Sequence, residues 1–267
     1  MNPELVYFRW SHYNEKARWA LEYKGIPYVR RTLLPGKHVK EARRLTGQTS
    51  LPILILNGKA INDSTRIIAA LEETFAAPPL YPRDAVLRQR ALDLEDFFDE
   101  ELGPHVRRVG FAATLPHSVY MAQLFDVEEN FVSRWLYRGV LHLAKYRLAQ
   151  RMKIDPATVE NSWRKIEQAL DRLEQEIQPG GYLVGDAFSV ADLTAAAMLS
   201  VVVLPPEFPC LPRGSRPKSM EGLWQRFQGR PSWQWARDIY RRHRGAWMPA
   251  PAQPVPVLEI RQKAALH

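Results

Sequence analysis

"LPILILNGKAINDSTRIIAALEETF", Leu51 to Phe75, decides the fold. It opens on a short apolar run, breaks at Asn57-Gly58, and resumes as a second short apolar run. Asn-Gly supplies two residues that tolerate positive φ, which a type I′ turn requires, so the stretch reads as a β-hairpin. From Asp63 the spacing turns helical: Ile67, Ile68, Leu71 and Phe75 share one face, with Asp63 or Ser64 as the N-cap. Upstream, Leu5 to Trp10 is an apolar run of strand length. A helix follows over Asn14 to Lys24, closed by Gly25 and Pro27. Tyr13, Ala17, Ala20 and Leu21 form its apolar face, and Glu15, Lys16, Arg18 and Glu22 take the other. Tyr28 to Leu34 reads as a second strand, Pro35-Gly36-Lys37-His38 as a turn, and the residues up to Leu45 as a short basic helix. The order βαβ, short helix, ββα within residues 1–76 specifies an α/β domain: a small mixed sheet with helices on its faces.

Residues 77–85, with three prolines, form a linker. Beyond it no strand pattern recurs. Arg88–Leu102, Ser118–Arg151, Pro156–Ile177, Val190–Val203 and Met220–Arg244 read as helices, making residues 86–247 an all-α domain. Pro205–Pro217 is a proline-rich loop, and residues 248–267 read as an extended or disordered tail.

The chain of 267 residues has an ordinary globular composition and a net charge of +8. Basic residues are scattered among acids, and the densest cluster, Arg241-Arg242-His243-Arg244, ends a helix, where cations suit the dipole. This pattern reads as solvated surface, with no nucleic-acid partner. The acidic run from Asp93 to Glu101 reads as a solvated face too. No apolar run reaches the ~18 residues of a membrane span, and MNPELVYFRW does not read as a secretory signal, so the expected setting is the cytoplasm. One cysteine, Cys210, excludes an internal disulfide and reads as a free surface thiol. The seven histidines show no metal-ligand spacing and there is no glycine-rich phosphate loop, so no metal is expected.

Three motifs in order resemble the soluble glutathione S-transferase family over about Leu5 to Gly245. "SLPILILNGKAINDSTRIIAALEE" resembles its strand 3–strand 4–helix 3 segment, which implies a cis Pro52 and an acidic-serine pair at Asp63-Ser64. "LDRLEQEIQPGGYLVGDAFSVADLTAAAM" resembles the helical domain, with Ser189 and Asp192 as the capping box of a buried helix. "SHYNEKARWAL" resembles the first helix of the serine- and cysteine-type classes, whose active residue lies five positions before a basic one, as Ser11 lies before Lys16. His12 departs from the proline usual there; it reads as an assisting base or an exposed residue.

The resemblance implies a thioredoxin-like N-terminal domain, glutathione as co-substrate, and a homodimer. It gives Ser11 the role of donating to the glutathione sulfur, with Tyr7 as a rival that reads better as a packed strand aromatic. It places the γ-glutamyl group at Ser64 and Asp63, the cysteinyl backbone on Leu51, and the glycyl carboxylate on Lys37, with His38 and Lys40 as rivals. The chemistry is coherent: free amides at a helix N-terminus attract carboxylates, and a hydroxyl donor with a helix dipole stabilises a thiolate. The expected activity is transfer of that thiolate to an electrophilic, mostly apolar second substrate held between the Ser11 loop and Phe97–Arg108. No cysteine occupies the Ser11 position, which disfavours mixed-disulfide chemistry. The alternative is a non-catalytic ligand-binding or assembly module on the same fold.

Overall fold

A computed structural model describes residues 2–36, 38–124, 145–211 and 217–244. Four strands form one sheet: β1 (Glu4–Tyr7), β2 (Val29–Thr32), β3 (Ile53–Leu56) and β4 (Lys59–Asn62), in the order β2-β1-β3-β4. β1 and β2 are parallel, and the other pairings are antiparallel. Asn57 and Gly58 have φ of 50° and 78°, the conformation a two-residue hairpin turn demands.

Alternation along the strands sorts side chains to two faces. Leu5, Tyr7, Leu54 and Leu56 join the main core with helices α1 (His12–Tyr23) and α3 (Ser64–Thr74), through Ala17, Leu21, Ile67 and Leu71. Val6 and Ile53 point the opposite way, onto Ala42 of α2 (His38–Thr46). Leu51–Pro52 is cis, as the resemblance implied.

The C-terminal domain is helical: α4 (Ala85–Phe97), a π-helical turn (Phe98–Leu102), α5 (Gly103–Thr114), α6 (Ser118–Leu124), α7 (Pro156–Glu176), α8 (Val190–Val203), α9 (Lys218–Gln225) and α10 (Pro231–His243). Residues 145–151 are helical as well. α8 is buried along its whole length and its surface is apolar on every side, so it sits at the centre of the packing. Asp192 caps it, accepting from Leu183 N at 2.8 Å and from Ser189 N and Oγ at 2.9 Å each. α1 lies along α8, joining the two domains.

Several expectations need correction. The helix expected to end at Leu102 continues into α5, because Pro104 sits in the first turn, where a missing N–H costs nothing. Met220–Arg244 is two helices, the second beginning at Pro231. The tail at 248–267, part of the expected Ser118–Arg151 helix and part of the Pro205–Pro217 loop lie outside the described residues.

The largest correction concerns α1. Glu15, Lys16, Arg18 and Glu22 are buried, not solvated, and so are Glu95 of the acidic run and Arg244 of the basic cluster. Glu15 accepts from Arg18 Nε at 2.9 Å and from Arg244 Nε at 2.8 Å. Glu22 pairs with Arg244 and accepts from Tyr28 Oη at 2.6 Å and Arg30 Nη2 at 2.8 Å. Burial alone would raise the Glu15 carboxyl, but the two guanidinium charges outweigh it and hold it below the ordinary range. Cys210 is buried rather than at the surface, with Arg18 Nη1 donating to its Sγ at 3.0 Å.

Candidate functional site

Strand register gathers the candidate residues at one end of the sheet. Val6 pairs with Ile53 and Ile53 with Asn62, so the end of β1, the Leu51–Pro52 bond and Asp63-Ser64 lie side by side. Tyr7 pairs with Thr32, which brings the turn after β2 to the same end.

Ser11 follows β1 and caps α1; its Oγ accepts from Asn14 N at a long 3.5 Å. It is half-buried. Because Oγ only accepts in this bond, its own hydrogen is left for an acceptor at the helix tip. Tyr7, by contrast, is buried in the main core, with the Arg18 guanidinium 5.3 Å from its ring centroid. Burial raises its phenol, and the Arg18 charge opposes this.

Asp63, with φ of 73°, caps α3: its Oδ1 accepts from Thr65 N at 3.0 Å and Arg66 N at 3.2 Å. Two of the helix-end donors are therefore taken, and Ser64, the first residue of α3 and buried, keeps its own N–H at the tip. Leu51 is buried beside it, before the cis bond. Lys37 lies outside the described residues. Of its rivals, His38 turns inward, its Nδ1 accepting from Gly36 N at 3.1 Å and its ring 4.7 Å from Phe8, whereas Lys40 is exposed.

The residue types alone did not reveal how α3 is held. Lys16 Nζ, fully buried, donates to Thr65 Oγ1 at 2.7 Å and pairs with Glu95 at 2.8 Å and Asp99 at 2.9 Å. Thr65 Oγ1 donates in turn to Asp99 Oδ2 at 2.9 Å, and Tyr13 Oη to Asp99 O at 2.9 Å. One cation thus ties α1 and the first turn of α3 to the C-terminal domain. A Cβ at Gly103 would lie 2.5 Å from Tyr13 Oη and 2.9 Å from Met198 Sδ, so a larger residue there must push these side chains aside. Lys16 carried a signal in the sequence, its spacing from Ser11; Thr65 and Asp99 carried none.

Beside this clamp is an open cavity of about 500 Å³ between the domains. Tyr13, Thr65 and Pro104 line it together with Asp63, Asp96, Asp99 and Glu100, against which Arg66 is the one cation of the lining. Such a lining favours a cationic group near the α3 tip.

His12 is neither exposed nor charged. It is 2% exposed, and burial pushes its imidazole down to about 3, helped by the nearby Arg107 charge and opposed by a bond with the Gly103 backbone. The folded state therefore binds fewer protons than the unfolded chain between about 3 and 6.5, and His12 contributes stability above 6.5 that is lost as pH falls through this window. His12→Leu is expected to shrink the loss of unfolding free energy between about pH 7 and about pH 5, measured by urea denaturation. An unchanged slope would show that His12 is not the group being protonated.

Among the described residues no cluster of His, Cys, Asp or Glu is arranged to hold a metal ion, and no helix is long and apolar enough to cross a membrane.

A mixed four-stranded sheet with a cis-proline loop beside a capped helix, followed by a helical domain around a buried, box-capped helix, defines the class: a glutathione transferase fold. The sequence agrees. The family model described as "Glutathione S-transferase, N-terminal domain" matches residues 5–79, and "Glutathione S-transferase, C-terminal domain" matches residues 156–223. The chain belongs to the glutathione S-transferase family.

Among curated relatives it is similar to a maleylpyruvate isomerase of Ralstonia sp, 30% identical over 49% of this chain and 60% of that protein. It is also similar to FtsZ-localized protein A of Caulobacter vibrioides, 25% identical over 74% of this chain and 76% of that one. The chain spans about half the length of the first curated relatives it matches. A glutathione S-transferase from Methylobacterium radiotolerans, solved in complex with glutathione sulfonate, shares the fold. Its TM-score is 0.52 at 21% identity, covering 96% of this chain and all of that one.

Proposed function

We propose that the protein binds glutathione at the tips of α1 and α3, holds it as the thiolate, and transfers that thiolate to an electrophilic, mostly apolar second substrate. The observation that carries this reading is the register that sets the Ser11 hydroxyl, the Leu51–Pro52 bond and Ser64 at one end of the sheet. Ser64 takes the γ-glutamyl carboxylate through its N–H and hydroxyl, and the acidic cavity wall with Asp63 takes the ammonium. Leu51 pairs its backbone with the cysteinyl unit, and Lys37 takes the glycyl carboxylate. Ser11 donates to the sulfur. A free thiol has a pKa near ~8.5, and a hydroxyl donor plus the positive end of α1 lowers it. The thiolate then attacks the electrophilic carbon: an S–C bond forms, and the displaced electron pair leaves with a leaving group or takes a proton from water. A cytoplasmic setting keeps both glutathione and Cys210 reduced.

A second reading is an assembly module, favoured by the likeness to FtsZ-localized protein A and by the start of α4. Residues 83–90 are exposed throughout, and among their charged side chains Val86, 75% exposed, and Leu87, 38% exposed, form a small apolar patch suited to contact with a second copy.

Isothermal titration of glutathione separates the two readings. Wild type is expected to bind, and Ser64→Ala to bind about tenfold more weakly or worse, the loss of a hydrogen bond to a charged group. A wild type that takes up no glutathione would leave the assembly reading in place.

A further inference from the structure

Several arginines of the C-terminal domain are held in ion pairs. Arg90, Arg172, Arg226, Arg230 and Arg244 pair with carboxylates and brace helices. Arg107 does not: it is exposed, and among the described residues no carboxylate pairs with it. It lies on α5 one turn beyond Pro104, which lines the interdomain cavity, so the two share a helix face. Its guanidinium stands 5.8 Å from the Tyr13 ring centroid, and its charge reaches His12, the residue after Ser11. A second exposed arginine, Arg151, is near enough to His38 to act on its imidazole. Arg107 thus sets a positive charge beside Tyr13 and His12, next to the acidic lining of the cavity rather than within it.

Glutathione brings two carboxylates, already assigned to Ser64 and Lys37. An unpaired guanidinium across Tyr13 has no role toward either. Guanidinium is always charged and its fork of donors matches a carboxylate. We infer that the second substrate carries an anionic group, and that Arg107 binds it while the apolar body of the electrophile lies over the Ser11 loop. The inference rests on the transferase reading and sharpens it: the electrophile is an organic anion rather than a neutral apolar molecule.

A matched pair of Michael acceptors tests it: para-carboxybenzylideneacetone and its methyl ester. In both, glutathione thiolate adds to the β-carbon, the alkene π pair moves into an enolate, and the enolate takes a proton from water. Only the acid offers an anion. Wild type is expected to favour the acid in kcat/KM, and Arg107→Ala to lower the acid-to-ester ratio about tenfold, the scale of a charge-assisted bond at an accessible site. Arg107→Lys should recover most of that ratio, and Arg107→Glu should reverse the preference. Thermal unfolding of each variant checks that the exposed substitution leaves the fold intact.

Two results overturn this proposal alone: wild type turning over acid and ester equally, or Arg107→Ala depressing both in proportion. A rise in the glutathione KM of Arg107→Ala with an unchanged ratio would reassign Arg107 to glutathione and overturn it as well. No turnover of either electrophile by wild type would defeat the transferase reading and this proposal with it.

Discussion

Lys16→Met is expected to lower the unfolding free energy by about 3–5 kcal/mol, the cost of stripping one partner from a buried ion cluster. Lys16 is fully buried and faces Glu95, Asp99 and the Thr65 hydroxyl within 2.7 to 2.9 Å. Burial already raises the Glu95 carboxyl, with Lys16 opposing the rise and Asp99 adding to it. Without the ammonium, two acids are left side by side between the domains, Glu95 buried and Asp99 at the cavity wall, which favours uptake of a proton by the buried one. Chemical denaturation reads the loss directly. Replacing Glu95 and Asp99 in the same chain by Gln and Asn should restore a large part of it, because the neutral set leaves no uncompensated charge. A Lys16→Met chain within about 1 kcal/mol of wild type would mean the cluster behaves as an ordinary surface pair. The same variant leaves the Thr65 hydroxyl bonded to Asp99 but no longer to Lys16, so the first turn of α3 is held less firmly and the glutathione KM should rise alongside.

Ser11→Ala is expected to lower kcat about 10- to 100-fold and to raise the pKa of the bound thiol by about one to two units, leaving the glutathione KM nearly unchanged. The reasoning separates two jobs of one hydroxyl. As a cap, Ser11 accepts from Asn14 N at 3.5 Å, a bond so long that its loss belongs at the small end of capping energies, about 0.5 kcal/mol. As a thiolate donor, its loss removes a charge-assisted bond made to the reacting atom. A large kinetic effect with a small change in stability therefore marks the donor role. Ser11→Thr keeps a hydroxyl and should keep much of the rate. Activity of Ser11→Ala within about twofold of wild type would leave Ser11 as a cap only.

The sheet was legible because its signals are local. Asn57-Gly58 can be read without knowing what packs on the hairpin, and the run Val190–Val203 is apolar at every angle, which leaves a central helix as its natural place. The polar face of α1 was misread for a definite reason. A helix face of Glu15, Lys16, Arg18 and Glu22 has the same spacing whether water or Arg244, more than two hundred residues later, satisfies its charges. Glu95 and Asp99 hid in an acidic run for the same cause. α5 was missed because Gly103-Pro104 looks like a stop, while glycine there admits Tyr13 and proline suits a first turn. Within the candidate site, Ser11, Asp63 and Ser64 could be named because helix caps and anion sites use the same groups. Thr65 meets Asp99 and Tyr13 meets Arg107 across the domain boundary, juxtapositions that spacing along the chain does not encode.

The most direct test of the central claim is the ultraviolet absorbance of the thiolate, followed against pH for glutathione bound to the wild-type protein. The account predicts saturable binding with a bound-thiol pKa at least about one unit below the free value near ~8.5. Bound glutathione that titrates at the free value would contradict it.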